Sequence, residues 1–506
     1  MAGLDTVTDV SGPINPNNNT RNIVISINKS ISLQECIHKR KAINMIAVLG
    51  GGISGLAAAH YLKTLGSSSR ILLLEASSRL GGWINSVEQD GAVYELGPRT
   101  LRAAGNAGAN TLALAESLGL REKIISINYS HASTQNRMIL VDGKLHKLPN
   151  SLKTVFTKCS PFSKPLAMSA VNDLFAKKVV NNDESLFSFA SRRFGLEVAK
   201  YAIDPLTRGV FAGNACELSV TSLARRLHEV EQQYGSVLVG LLKDRKNAEK
   251  PDPLLRKCEL VIQARKEKWA VWSLSGGLET FVKVLQEKLV QDGIELKTST
   301  PVKGIKKSSS KLVVQTDEEE IEVNKVVSCL PSRNLSSVIR ATSPELSRLL
   351  DTIPYATVGV VNLEYKGQVL DEPAFGYLVP SSQPNKVLGV IFDTCTFPQG
   401  DRTILTVMMG GYWFKSLFGD TPSSEELLEV ATREVKETLK ITMKPVHYKV
   451  NILRDCIPQY VVGHSETQHN LQKLIQHMKI PLCLAGNSYD GVGVNDAIMS
   501  AKRAVL

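Results

Sequence analysis

Four residues carry the clearest chemical signal in this chain of 506 residues: Gly50, Gly52 and Gly55 in the run Met45-Ile-Ala-Val-Leu-Gly-Gly-Gly-Ile-Ser-Gly55, and Glu75 after Ile71-Leu-Leu-Leu74. Each glycine has a separate steric use. Gly50 permits a tight turn, Gly52 lets backbone N–H groups close on a pyrophosphate at a positive helix N-terminus, and Gly55 lets helix and strand pack closely. Gly51, Ile53 and Ser54 complete the turn, and Glu75 can accept hydrogen bonds from a ribose hydroxyl. The chemistry is the holding of an adenine dinucleotide. A glycine triplet alone is weak evidence. Here it lies in the order strand, turn, Ala-rich helix (Leu56 to Leu65), strand, acid, which is the βαβ unit needed to position it.

Past the acid and Ala76 come Arg79-Leu80-Gly81-Gly82-Trp83 and then Tyr94-Glu95-Leu96-Gly97-Pro98-Arg99-Thr100. These resemble the extended flavin signature of the amine oxidase and desaturase superfamily, in which the chain beyond the acid wraps the flavin pyrophosphate and ring. That favours FAD over NAD. Near the other end, Pro481 to Gly486 reads as a short apolar strand, and Asn487 through Gly491-Val492-Gly493-Val494 opens a helix ending near Ala504. In the superfamily such a helix N-terminus returns to the flavin, placing positive backbone dipole beside it. Between them, Trp272 to Glu279 leads into an amphipathic helix and Val326-Val-Ser-Cys-Leu-Pro331 reads as a strand. The resemblance carries cofactor contact to Ala76, Arg79, Gly82, Trp83, Gly97, Pro98, Arg99, Thr100, Val302, Asn487, Val492, Gly493 and Val494.

Length and charge bound the setting. At 506 residues, two or three domains are expected. A net charge of +11 invites an anionic partner, but no zinc finger, basic zipper or RNP-like run accompanies it, so a membrane or an acidic ligand is favoured over nucleic acid. The eight cysteines (36, 159, 216, 258, 329, 395, 456 and 483) form no C-x-x-C pair. Apolar surroundings at Cys329 and Cys483 suggest buried free thiols and a reducing compartment. Residues 1–44 carry Pro13, Pro16 and the run Asn17-Asn-Asn19, with no amphipathic period and no secretory apolar core. They read as disordered or loosely structured, and with Asp5, Asp9 and Glu35 as a poor mitochondrial presequence. The stretch from Met45 to Leu62 lacks formal charge but is broken by three glycines, which excludes a transmembrane helix there.

Gln135-Asn136-Arg137, Pro205-Leu-Thr-Arg208-Gly209-Val-Phe-Ala-Gly-Asn214, Phe375-Gly376-Tyr-Leu378-Val-Pro-Ser-Ser382 and Cys456-Ile457-Pro-Gln-Tyr460 closely resemble the protoporphyrinogen oxidase family of the animal mitochondrial type, from about residue 45 to 506. The resemblance implies an α/β fold. A discontinuous Rossmann-like FAD domain is expected from 45–130, 255–330 and 460–506, a mixed-sheet substrate domain from 331–459, and a helical membrane-binding domain from 131–254. Strand-like runs at Val358 to Tyr365, Val387 to Phe392 and Ile404 to Met409 suit the mixed sheet. Leu152, Val155 and Phe156, then Val171, Leu174 and Phe175, fall at helical spacing among Lys153, Lys158, Lys164, Lys177 and Lys178, the pattern of a basic interfacial helix. A single stripe of this kind is equally the face of an ordinary core helix. The family setting is peripheral, on the intermembrane-space side of the inner mitochondrial membrane, and its members are commonly homodimers.

The implied reaction is the oxygen-dependent, six-electron oxidation of protoporphyrinogen IX to protoporphyrin IX with release of hydrogen peroxide, the penultimate step of haem synthesis. A hydride passes from a methylene bridge to flavin N5, so no protein acid or base is assigned. By resemblance Arg137 meets a propionate, Phe375, Gly376, Leu378 and Met408 line the macrocycle, and Ile457 extends the wall. Arg208 either serves a second propionate or stitches the helical domain together. No His or Cys spacing suggests a metal, no nucleophile elbow is present, and His464 and His469 read as surface or loop residues. Two rivals stay open. One is an amine oxidase or desaturase, although Cys483 is poorly placed for a covalent flavin link. The other is a porphyrin-binding scaffold that keeps FAD structurally.

Overall fold

The structure, a computed structural model, describes residues 44–180, 182–244 and 252–506; the reading of residues 1–43 as an extension, and Cys36 with it, lies outside the described residues. Two sheets organise the rest. The first is parallel and five-stranded. Strand β1 (Met45–Leu49) pairs with β2 (Arg70–Leu74) on one side and Lys325–Ser328 on the other, and Glu295–Lys297 and Leu482–Leu484 form the edges. Ala47, Val48 and Leu49 are wholly buried because both faces are covered, which is why these strands read as unbroken apolar runs. On one face pack helix α1 (Ile53–Thr64) and the helices Gly105–Ser117, Glu279–Gln291 and Val494–Val505. The other face is covered by the antiparallel strands of residues 304–323 and the helices Ser332–Ile339, Pro344–Asp351 and His464–His477.

The second sheet is seven-stranded and mixed, in the order His447–Pro458, Tyr355–Lys366, Arg402–Gly411, Val387–Phe392, Gly376–Leu378, Arg137–Val141, Lys144–Lys147. One face is sealed by Leu427, Val430, Ala431 and Val435 of helix Ser424–Leu439. The opposite face looks toward the segment that follows β2.

Two expected boundaries move. Residues 137–147, which the family resemblance placed in the helical domain, are instead two strands that complete the mixed sheet, Arg137–Val141 lying parallel to Gly376–Leu378. The helices of residues 332–351, placed in the substrate domain, bury Leu335, Ile339, Leu346 and Leu350 against the parallel sheet. His464 is not a surface or loop residue: it is buried in the first turn of its helix. The described cysteines are all unpaired, but Cys329 and Cys483 are half-buried rather than buried, and Cys216 is exposed.

From Leu152 to Lys243 the chain is helical, apart from its turns. Helix Ala167–Phe175 is inverted: its one buried residue is Asp173, whereas Val171, Leu174 and Phe175 face outward, Phe175 with 82% of its surface exposed. Asp173 explains the inversion. It accepts from Arg193 Nε at 2.7 Å, Ser236 Oγ at 2.6 Å and the Leu238 N–H at 2.9 Å. Burial would raise this carboxyl, but these hydrogen bonds hold it below the usual carboxylate range. Arg193, itself fully buried, also donates to the carbonyls of Ala176 and Gly235 at 2.9 Å, so one ion pair gathers three helices. Asp173→Asn leaves that guanidinium with only the more distant Glu231, 3.6 Å away, as counter-charge, and thermal unfolding of the variant at neutral pH is expected to show a loss of about 3 kcal/mol. Because the folded carboxyl titrates below its unfolded value, the wild-type advantage is present above about pH 3.9 and disappears only as pH falls below it.

Candidate active site

The parallel strands all end at one edge, and their loops build the first half of the site. Gly50 turns out of β1 with φ +96°, its N–H bonded to the Leu74 carbonyl at 2.8 Å. A Cβ on Gly55 would sit 1.8 Å from the Gly50 carbonyl oxygen, so only glycine allows α1 to begin so close to β1. Gly52 differs. A Cβ there would meet protein only at Gly82 Cα, 3.8 Å away, in a backbone geometry open to any residue. The Gly52 position is therefore empty toward the crevice and not tightly packed. Gly52 is also the N-cap of α1, with no side-chain cap and no acid in the first turn, so N–H groups of that turn, which includes Ile53 and Ser54, are left for a ligand anion.

Glu75 stands half-exposed at the end of β2. One carboxylate oxygen accepts the Gly51 N–H at 2.6 Å and the other the Ser77 N–H at 2.8 Å, which aims the group across the turn while leaving lone pairs for a sugar hydroxyl. Thr300 donates its N–H to the Glu75 carbonyl, which brings the loop bearing Val302 alongside. Ala76 is exposed next to Glu75. Arg79 braces its own loop through the carbonyls of Leu80, Gly82 and Ile84, and Gly82 lies against Gly52 with Trp83 partly exposed. A second helix N-terminus, at Gly493, begins Val494–Val505, and here the first turn holds Asp496, whose carboxylate accepts a hydrogen bond from the Gly493 backbone. Gly486, just past the last parallel strand, faces Ser54, so this loop, with Asn487 and Val492, borders the same crevice. The residues present fit a flavin dinucleotide.

Gly97, Pro98, Arg99 and Thr100 connect this half to the mixed sheet. Arg99 is buried and ion-paired to Asp393 at 2.7 Å. Asn362 donates to the Glu95 carbonyl and Asn451 to the Leu96 carbonyl, both at 3.3 Å. Glu95 accepts from the Leu278 N–H at 2.8 Å and Ser86 Oγ at 2.7 Å, and burial pushes its carboxyl up to about 7. These joining residues are missed by motif reading. The available signal was a polar residue in an apolar strand, Asn362 within Val360-Val-Asn-Leu363.

On the adjoining face of the mixed sheet, Leu378 pairs with Gly389, Gly389 with Met408, and Met408 with Val360, so Leu378 and Met408 share one row with only a glycine between them. Phe375, Leu378, Met408 and Ile457 are all half-buried. Gly376, in register with Arg137, approaches the Val390 carbonyl too closely for any side chain. Arg137 is exposed at the rim, and its guanidinium has no hydrogen-bond or ion-pair partner among the described residues. Arg208 settles differently: buried, it donates to the carbonyls of Val379, Pro380 and Asn385 and lies over the Trp413 ring, so it stitches helix Asp204–Phe211 to the sheet.

A dinucleotide crevice joined to an apolar sheet face defines a two-part flavoprotein oxidoreductase. The chain matches the family described as flavin containing amine oxidoreductase over residues 53–505. It is 40% identical to protoporphyrinogen oxidase of Bos taurus and 39% to that of Homo sapiens, over 91% of this chain and 97% of each relative. A solved structure from Exiguobacterium sp. 255-15 superposes with a TM-score of 0.74 at 23% identity, covering 91% of this chain and 98% of that one. The chain belongs to the flavin containing amine oxidoreductases and, within them, to the protoporphyrinogen oxidases.

The contrast between two glycines is testable. Gly52→Ala is expected to fold with an unchanged unfolding temperature but to lose FAD affinity by about tenfold or more, since its methyl group enters ligand space only. Gly55→Ala is expected to lose soluble protein altogether. Equal flavin occupancy in Gly52→Ala and wild type, read from the visible absorbance of purified protein, would move the phosphate site elsewhere.

Proposed function

We propose that this chain oxidises protoporphyrinogen IX to protoporphyrin IX with oxygen as acceptor, removing six electrons and releasing hydrogen peroxide. The observation that carries the substrate assignment is the unpartnered Arg137 at the rim of a wall formed by Phe375, Leu378, Met408 and Ile457. A flat apolar macrocycle with carboxylate arms matches both features. The guanidinium can grip a propionate with two parallel hydrogen bonds, and the apolar row can hold the rings and exclude water. FAD, when bound, supplies the two-electron oxidation of each round and passes the electrons to oxygen. The protein's own contribution is orientation: the joined wrap and sheet fix the wall relative to the crevice. The direct test is aerobic turnover of the reduced tetrapyrrole followed by porphyrin fluorescence, and a flavin-loaded protein that produces none is a scaffold and not an oxidase.

We further infer that the helical segment meets an anionic membrane, peripherally, on the intermembrane-space side of the inner mitochondrial membrane. Support comes from Phe156, Leu174 and Phe175, which expose 70%, 54% and 82% of their surfaces, together with exposed Lys153, Lys158, Lys164 and Lys177. Among the described residues no helix is long and apolar enough to cross a bilayer. Binding to cardiolipin-containing vesicles should weaken with salt without vanishing, because charge is screened and apolar insertion is not. Phe175→Ser with Leu174→Ser should remove the salt-resistant part. Undiminished sedimentation of that variant with vesicles in high salt would place the contact elsewhere.

Arg137→Ala should retain FAD but lose one charge-assisted contact, a cost of about 1.5 to 3 kcal/mol, or about 10- to 100-fold in binding. Lysine should restore part of it, supplying charge without the planar fork. Porphyrinogen with esterified propionates should respond far less to the change. Equal losses with free-acid and esterified substrates at full flavin occupancy would remove Arg137 from the carboxylate site.

A further inference from the structure

The segment Cys456-Ile-Pro-Gln-Tyr460 is where three parts of the molecule meet. A bulge in the pairing between Tyr355–Lys366 and His447–Pro458 precedes it, with Asp455 at φ +52°, and this turns Ile457 into the wall beside Ala356 and Met408. Gln459 donates through Nε2 to the Phe211 carbonyl at 2.9 Å, at the end of the helix that Arg208 stitches down. Tyr460 reaches the flavin side. Its hydroxyl accepts the Gly491 N–H at 2.8 Å and donates to the Asn487 carbonyl, and Asn487 Nδ2 returns a bond to the Cys456 carbonyl at 3.4 Å.

Tyr460 is itself held flat. Its ring stacks on His464 with centroids 3.9 Å apart and planes 9° from parallel. Burial pushes that imidazole down to about 4, opposed by the hydrogen bond it makes to the Tyr489 backbone and by the Asp183 charge, so the stacking partner is neutral at physiological pH. The loop it grips, residues 486–493, follows the last parallel strand and ends in the helix N-terminus at Gly493. A second side chain, Gln468, donates to the Tyr489 carbonyl in the middle of the same loop.

We propose that Tyr460 is a positioning residue for the flavin: its hydroxyl holds the 487–491 loop, and with it the helix N-terminus at Gly493, at a fixed place relative to Ile457. A helix N-terminus favours negative charge, and the favour falls off within about a turn. A loop that drifts therefore weakens binding of the electron-rich, reduced cofactor more than of the oxidised one. The same drift alters the distance from wall to flavin. The inference rests on flavin binding, and it is read without substrate.

The experiment is a redox titration of purified holoenzyme, wild type and Tyr460→Phe, with no porphyrinogen present. The phenylalanine keeps the ring stack and removes both hydrogen bonds. The expected result is retained flavin with a lower midpoint potential, equivalent to about a tenfold loss of reduced relative to oxidised binding, or about 30 mV for a two-electron couple. In turnover, kcat should fall while KM changes by less than about twofold, since ground-state contacts to substrate are intact. An unchanged potential and unchanged kcat, with only a lower unfolding temperature, would make Tyr460 an ordinary core residue and overturn the proposal. Should Tyr460→Phe purify without flavin, Gln468→Met tests the same loop from a half-buried position. It must lower the potential in the same sense, and an unaltered potential there is equally fatal. Because the titration contains no tetrapyrrole, an error in the substrate assignment leaves its outcome readable.

Discussion

Open backbone N–H groups at one helix start are the constraint on which the rest of this structure depends. The helices beginning after Gly52 and Gly493 pack side by side behind the parallel sheet, and the first has neither a side-chain cap nor an acid in its first turn, whereas the second carries Asp496 there. Such groups are costly to leave unpaired, and water or an anion must serve them. A side chain at position 52 would cover them, and one at Gly55 would prevent the approach of helix to strand that creates them. The strand order, the crowding of the first turn and the aim of Glu75 all follow from keeping this one place open and positive. Stability is yielded locally so that a cofactor can restore it.

The second half of the molecule has to stand at a fixed distance from that place, and it does so through buried polar contacts and not through a continuous core. Separate apolar clusters fill the parallel and mixed sheets. Between them run the Arg99–Asp393 ion pair and the amides of Asn362 and Asn451, with Asp393 held in turn on the mixed sheet by a hydrogen bond from Thr406 at 2.7 Å. Apolar contacts would let the sheets slide, since they have no direction. Amide and guanidinium contacts to particular carbonyls and carboxylates fix one register. Glu95 lies at the edge of this seam in its neutral-favouring site, so its contribution to stability is present below about pH 4.3 and is lost as pH rises through about 7.

What was legible in the sequence followed from periodicity and glycine spacing. The βαβ unit, the late strand and helix, and the three long strands of the mixed sheet stand where their patterns put them, because each pattern is local. The failures share a cause: they depend on contacts distant in the chain. Arg137–Val141 looks no different as an isolated hairpin than as a strand parallel to Gly376–Leu378, and only the pairing decides. His464 was read as a surface or loop residue from its spacing to His469, whereas a ring on Tyr460 and a helix packed on the parallel sheet bury it. Arg208 was ambiguous for the same reason, its three carbonyl partners lying more than 170 residues away.

The inverted helix at residues 167–175 shows the limit of periodicity most sharply. Its apolar stripe is real, and the usual reading buries such a stripe in a core. What turns it outward is a single residue on the opposite face: Asp173 must stay with Arg193, and both are fully buried. Exposing Asp173 to place Leu174 and Phe175 inside would take from the buried arginine its nearest carboxylate. The charge therefore chooses which face is buried, and the apolar stripe is left exposed. Helix Asp204–Phe211 continues the logic inward. It exposes Leu206 and Val210 on its outer side while Gly209, lacking a side chain, lets its inner side rest on Leu378. One helix thus has apolar surface on the outside and Leu378 of the mixed sheet beneath it, because a single glycine removes the side chain that would hold the two apart.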